Sequence, residues 1–105
     1  MSILLRLDTI EQLAHILSEK LIRDSKESLN IELVEKLKSL QSSYSLSDNK
    51  SSLDSLTAFE QYSLSFQSNL SKIVINKDIS EYSKKLISEI DRLKVIHKNA
   101  IKLQD

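Results

Sequence analysis

Of the 105 residues in this chain, none is glycine and none is proline. Glycine is the residue that enters positive φ without steric cost, and proline presets the backbone of a tight turn. Two-residue hairpins depend on the first, and folds rich in crossovers use both at their corners. A chain lacking them gives poor support to sheet topologies, whereas helices joined by polar links need neither residue. No position is visibly set aside for a positive φ. The same absence removes dinucleotide and phosphate loops and the nucleophile elbow, all of which need glycine where backbone meets phosphate or bends sharply.

Apolar residues make up 40% of the chain and charged residues 29%, ordinary globular usage for a single domain with one core. Asp8-Thr-Ile-Glu11 has the form of a capping box, with Leu7 as its staple, so a first helix is expected to start there. Ile10, Leu13, Ala14, Leu17 and Leu21 fall on one face, which carries that helix to Arg23 or Asp24. The link from Asp24 to Ser28 is polar but holds no strong breaker, leaving a continuous first and second helix as an alternative. Leu33, Val34, Leu37 and Leu40 define the second helix, from Leu29 to Gln41. The serine-rich run from Gln41 to Ser52 reads as a loop, with Tyr44 and Leu46 tucked inward.

Ser51 or Ser52 is expected to cap the third helix, with Asp54 in its first turn. Its stripe is Leu53, Leu56, Phe59, Phe66, Leu70 and Ile73, with Tyr62 beside it. Ile73-Val74-Ile75 favours a strand on propensity alone but has no partner strand. Asp78-Ile-Ser-Glu81 is a second capping box and opens the longest apolar repeat: Ile79, Tyr82, Leu86, Leu93, Ile96, Ala100 and Leu103. The one gap in it is Glu89, beside Ile90. Four amphipathic segments with short links predict an all-α, antiparallel up-down four-helix bundle with a long C-terminal helix. At about 25 residues that helix spans about 40 Å. Its end, Val95 to Leu103, is expected to overhang.

Chemical signals are sparse. The absence of cysteine removes disulfides and thiolate ligands and suits a reducing compartment. Fifteen Lys and Arg balance fifteen Asp and Glu, so no global field attracts nucleic acid. The apolar start is too short for a signal segment, and no run reaches the roughly 18 apolar residues of a membrane span. His15 follows Glu11 by one helical turn, but a di-iron bundle needs Glu-x-x-His on two helices, so a histidine paired with Glu11 is the simpler expectation. The 19 serines fit caps and solvated faces, because an unactivated hydroxyl is a poor nucleophile. No enzyme, cofactor or metal site is indicated. What remains is an excess of cations on the last helix: Lys84, Lys85, Arg92, Lys94, Lys98 and Lys102 against Glu89 and Asp91. These either complement the helix dipole or form a basic face for an acidic partner or an anionic leaflet.

The stretch Asn76-Lys-Asp-Ile-Ser-Glu-Tyr-Ser-Lys-Lys-Leu-Ile-Ser-Glu-Ile90 resembles the bacteriocin immunity proteins of the enterocin A, pediocin-like type. There a short turn, an acidic residue and an aromatic or glutamine precede a Leu- and Ile-rich helix. The resemblance runs from Gln12 to Leu93. Where that family often has glycine or proline before the third helix, this chain has Ser47-Asp-Asn-Lys-Ser-Ser52. The resemblance implies a cytoplasmic, monomeric four-helix bundle that protects its producer without modifying the toxin. It implies action at the inner membrane face, on the sugar-permease receptor or its complex with the bacteriocin, with peripheral membrane contact and no nucleic acid. Lys94, His97, Lys98 and Lys102 are then the partner-binding candidates. The alternative is a small scaffold subunit of a multi-protein coiled-coil assembly, favoured by the serine content and the heptad-like last stripe.

Overall fold

The structure, a computed structural model, describes residues 3–44, 48–70, 72 and 77–104. Four α-helices account for all of them but 24–26, 44, 48 and 72: α1 (Ile3–Arg23), α2 (Glu27–Ser43), α3 (Asn49–Leu70) and α4 (Lys77–Gln104). No strand occurs among the described residues, and Leu46 and Ile73-Val74-Ile75 lie outside them.

The helix ends differ from the expected ones for local reasons. α1 begins at Ile3 rather than at the Asp8 box, because Ile3 to Leu7 contains nothing that opposes a helix. Inside that helix Asp8 accepts a hydrogen bond of 2.9 Å from Gln12 Nε2 instead of capping, and Leu7 packs onto the core. α1 does stop before α2, so the two are not continuous. The Lys26 N–H donates to Leu21 O at 2.8 Å and the Ser25 N–H to Ile22 O at 3.1 Å. Those two bonds form a Schellman closure, which needs a left-handed residue at its centre. Ser25 takes that place with φ 58°, so a positive φ is used and is filled by serine.

α3 begins earlier than expected because Asp48, not Ser51 or Ser52, is the cap. Its Oδ1 accepts from the Ser51 N–H at 3.0 Å, which places both serines inside the helix and Asp54 beyond the first turn. α2 runs to Ser43, and Tyr44 closes it by donating its N–H to Leu40 O at 2.9 Å. α4 starts at Lys77, so Asp78 lies in its first turn.

Each helix packs against its neighbours in sequence, and α4 returns to pack against α1. The cross-links run antiparallel. Lys20 near the end of α1 meets Asp78 at 3.4 Å, while Arg6 near its start meets Glu89 at 3.7 Å. Between α3 and α4, Glu60 meets Lys94 at 2.7 Å and Gln67 donates to Ser80 Oγ at 3.4 Å. Ser18 and Asn30 bond across α1 and α2. The bundle measures 47 × 21 × 21 Å.

The buried positions alternate in steps of four and three: Ser52, Leu56, Phe59, Ser63, Phe66 and Leu70 on α3, and Ile79, Ser83, Leu86, Ile90, Leu93 and His97 on α4. That is the 3.5-residue seam of a left-handed coiled bundle. Ile10, Ala14, Leu17 and Leu21 continue it on α1, and Leu33, Leu37 and Leu40 on α2. The α4 stripe is therefore rotated from the expected one. Tyr82 and Ile96 form its half-buried rim, Ile90 closes the gap at Glu89, and Ser83 and His97 face inward. Val95 is exposed but His97 is fully buried, so α4 remains in the bundle through His97 and the overhang does not begin at Val95.

Candidate functional site

A seam is expected to be apolar, so its polar members stand out. Burying an unpaired hydroxyl or imidazole costs about 1–3 kcal/mol, which demands a partner for each. Ser63 Oγ donates to Phe59 O at 2.9 Å within its own helix. Ser18 uses Asn30. His97 uses a residue from another helix: its Nε2 and the Tyr44 hydroxyl share a hydrogen bond of 2.6 Å. The two rings meet edge to face, with centroids 5.4 Å apart.

The local fold explains why they meet. Tyr44 is the C-cap of α2, where the chain leaves the helix with extended backbone, and His97 occupies the last described seam position of α4. Among the described residues, α2 and α4 are not packed backbone to backbone, so this bond reaches across the diagonal of the bundle. Burial pushes the Tyr44 phenol up to about 12 and lowers the His97 imidazole from its ordinary range. Among the described residues His97 Nδ1 is buried with no hydrogen-bond partner.

The four candidates from the sequence do not form one exposed face. His97 is 0% exposed, in the seam. Lys94 is paired with Glu60, and each side chain of that pair is only 14% exposed. Lys98 is exposed, while the Lys102 side chain lies outside the described positions. His15 is exposed on α1 and, among the described residues, has no bond to Glu11. The other α4 cations are partly engaged. Lys85 Nζ sits 4.8 Å from the Tyr82 ring centroid, and Arg92 donates to Glu89 at 3.1 Å. Lys77 and Lys84 are exposed.

One groove accompanies the dyad at the same end of the molecule. It lies between α2 and α3, holds about 410 Å³, and is lined by Lys36, Ser39 and Ser43 on one side and Ser51, Asp54 and Ser55 on the other. The core residues Leu40 and Phe59 also line it, so it cuts down to the core. Among the described residues no group of three His, Asp or Glu converges as a cation site, and no helix is long and apolar enough to cross a membrane.

Fold and site together define an all-α four-helix bundle in which a half-buried tyrosine is paired with a buried histidine. Compared with known proteins, the chain matches no family model, no curated protein and no solved structure. The pairing of Tyr44 with His97 was half visible in the sequence. Tyr44 reads as inward-facing, but His97 stands one residue from Ile96, and choosing the apolar neighbour for the stripe turns the histidine outward.

Proposed function

We propose that this chain is a non-catalytic, monomeric binding bundle of the bacteriocin-immunity type, acting on a membrane receptor or its toxin complex from the cytoplasmic side. The observation that carries the proposal is the closure of the bundle on itself. Seam residues of all four helices are buried, Leu17, Leu33, Leu56 and Leu93 to 1% exposure or less, so among the described residues the apolar seam needs no partner to cover it. A coiled-coil scaffold subunit would keep an apolar stripe for its assembly. Among the described residues the exposed large apolar side chains, Leu5, Ile16, Ile22, Ile31, Leu64 and Val95, are instead spread over all four helices. Contact with an acidic partner or an anionic leaflet runs through the exposed lysines of α4, Lys84, Lys85 and Lys98, rather than through Lys94 and His97.

The test is protection. The chain is expressed in a sensitive strain, which is challenged with a panel of pediocin-like bacteriocins. Survival against at least one is expected, and killing by all of them overturns the proposal. Charge reversal at Lys84, Lys85 and Lys98 is expected to abolish protection while leaving helicity unchanged. Full protection by that variant would remove these lysines as the contact.

A further inference from the structure

The Tyr44 and His97 pair sits where α2 is most weakly held. The ion pairs of Arg6 with Glu89, Lys20 with Asp78 and Lys94 with Glu60 tie α1, α3 and α4 to one another. α2, the shortest helix at 17 residues, meets them through Leu33, Leu37 and Leu40 and through a polar tie at each end. Asn30 with Ser18 is one tie, and Tyr44 with His97 is the other. The groove beside the second tie already parts α2 from α3 down to Leu40 and Phe59.

We propose that Tyr44 and His97 form a proton-operated clasp, in which protonation of His97 frees the C-terminal end of α2 while α1, α3 and α4 stay packed. In the neutral tautomer with its hydrogen on Nε2, that nitrogen donates to the Tyr44 oxygen and Nδ1 is a bare acceptor sealed in the core. A proton taken up from solvent puts hydrogens on both nitrogens. Nε2 still donates to the Tyr44 oxygen, and Nδ1 carries a donor that no described residue accepts. The charge is created at a position with no solvent exposure, which is the costly case for any ionised group. Releasing Tyr44 hydrates the ring at the expense of one cross-helix bond.

The surrounding charges do not offset this. Tyr44 is the titratable group α2 brings to the ring, and the nearest charged residue before it, Lys38, is exposed. α3 contributes the buried Ser52 at its first seam position, with Lys50 and Asp54 exposed and Glu60 held by Lys94. The first charged residue of α1, Arg6, lies against Glu89. On α4 itself Lys94 is held by Glu60 and Lys98 is exposed, so neither brings a counter-charge to the ring. The only other histidine, His15, is exposed, so His97 is the buried group that can respond between neutral and mildly acid pH.

The direction follows from linkage. The freed imidazole regains an ordinary value of about 6.5, and the clasped one lies below it. The clasp is therefore fully formed above about 6.5 and is lost as pH falls from there toward the lowered value, with opening favoured up to about tenfold per pH unit. Hydrogen exchange of the full chain at about pH 7.5 and about pH 5.5 reads this, once intrinsic exchange rates are corrected for. Amides from Leu37 to Ser43 are expected to exchange faster in acid by up to that factor, while those from Leu86 to Leu93 hold steady. His97→Phe should erase the difference, and Tyr44→Phe should speed α2 exchange already at neutral pH. Equal acceleration in α2 and α4, an unchanged acid response in His97→Phe, or a Tyr44→Phe variant with α2 rates like the parent overturns the clasp. If His97→Phe does not fold, an NMR titration of the unmodified chain decides: the His97 ring and the α2 amides must shift with one midpoint, and separate midpoints refute the proposal. None of these outcomes depends on bacteriocin protection.

Discussion

Ser25→Gly is expected to stabilise the protein, against the usual effect of glycine inside a helix. Ser25 has φ 58°, and its N–H and that of Lys26 close the end of α1 on Ile22 and Leu21. A left-handed backbone brings Cβ against the carbonyl and costs about 1–2 kcal/mol. Glycine removes that clash but loosens the unfolded chain, which takes back about 0.4–1 kcal/mol. The net is a gain of about 0.5–1 kcal/mol, equivalent to about 3–6 °C in Tm for a domain of this size. Urea unfolding followed by far-UV circular dichroism should show a higher midpoint with an unchanged slope.

Two controls make the result specific. Ser25→Ala keeps the Cβ and should gain nothing. Ser39→Gly, at an exposed position inside α2, should lose about 0.5 kcal/mol, the helix cost of glycine of about 1 kcal/mol relative to alanine less the part serine already carries. If Ser25→Gly lost as much as Ser39→Gly, residue 25 would have to be right-handed, and α1 and α2 would be one continuous helix. The closure described above would then be wrong.

Leu56→Ala removes a side chain with 0% exposure from the centre of α3 and should cost about 3–5 kcal/mol, a large share of the roughly 5–15 kcal/mol of a small domain; a cost below about 1 kcal/mol by the same urea assay would place Leu56 outside the core. Lys94→Met leaves the Glu60 carboxylate largely out of water and should cost about 1–3 kcal/mol, most of it recovered in Glu60→Leu/Lys94→Met; a double-mutant cycle that shows no coupling would refute the pairing. Burial raises the Tyr44 phenol to about 12, and burial followed by the charge of Glu32 raises Tyr62 further. Unfolded phenols lose their protons near 10 while the folded ones keep them, so stability should be complete below about pH 10 and fall as pH rises through it. Tyrosinate absorbance from these two residues should then appear together with loss of helicity, and its appearance in a fully helical protein would contradict their burial.

The periodicity of apolar residues identifies all four helices, but caps and phase depend on competition that a single segment does not reveal. Asp8-Thr-Ile-Glu11 has every part of a capping box, yet the five apolar and basic residues before it prefer to extend the helix, and Asp8 turns to Gln12. Around the start of α3, Ser47, Asp48, Asn49, Ser51 and Ser52 are all capping residue types, and the carboxylate of Asp48 prevails over the hydroxyls that follow it. On α4 the apolar residues Tyr82 and Ile96 mark the stripe, while the seam passes through Ser83 and His97 one residue further on. Lys94 was legible as a cation on the right helix, but its partner Glu60 is on a different helix, and only packing brings them together.

The polar residues in the seam do something the apolar ones cannot. A 3.5-residue repeat resembles itself after each heptad, so sliding α4 along α3 by seven residues again sets apolar side chains against apolar ones at most seam positions. The same slide parts Lys94 from Glu60 and His97 from Tyr44, burying a charge and an imidazole without partners. Each loss costs more than an apolar mismatch. We therefore expect these two pairs to fix the register, in a chain whose links contain no glycine or proline to fix it by geometry. Replacing all four residues by apolar ones of similar size should keep helicity and stability but give more than one packing register, visible as doubled amide resonances for α4. A single sharp set of resonances, with the parent's contacts between α3 and α4, would show that the apolar seam specifies its own alignment.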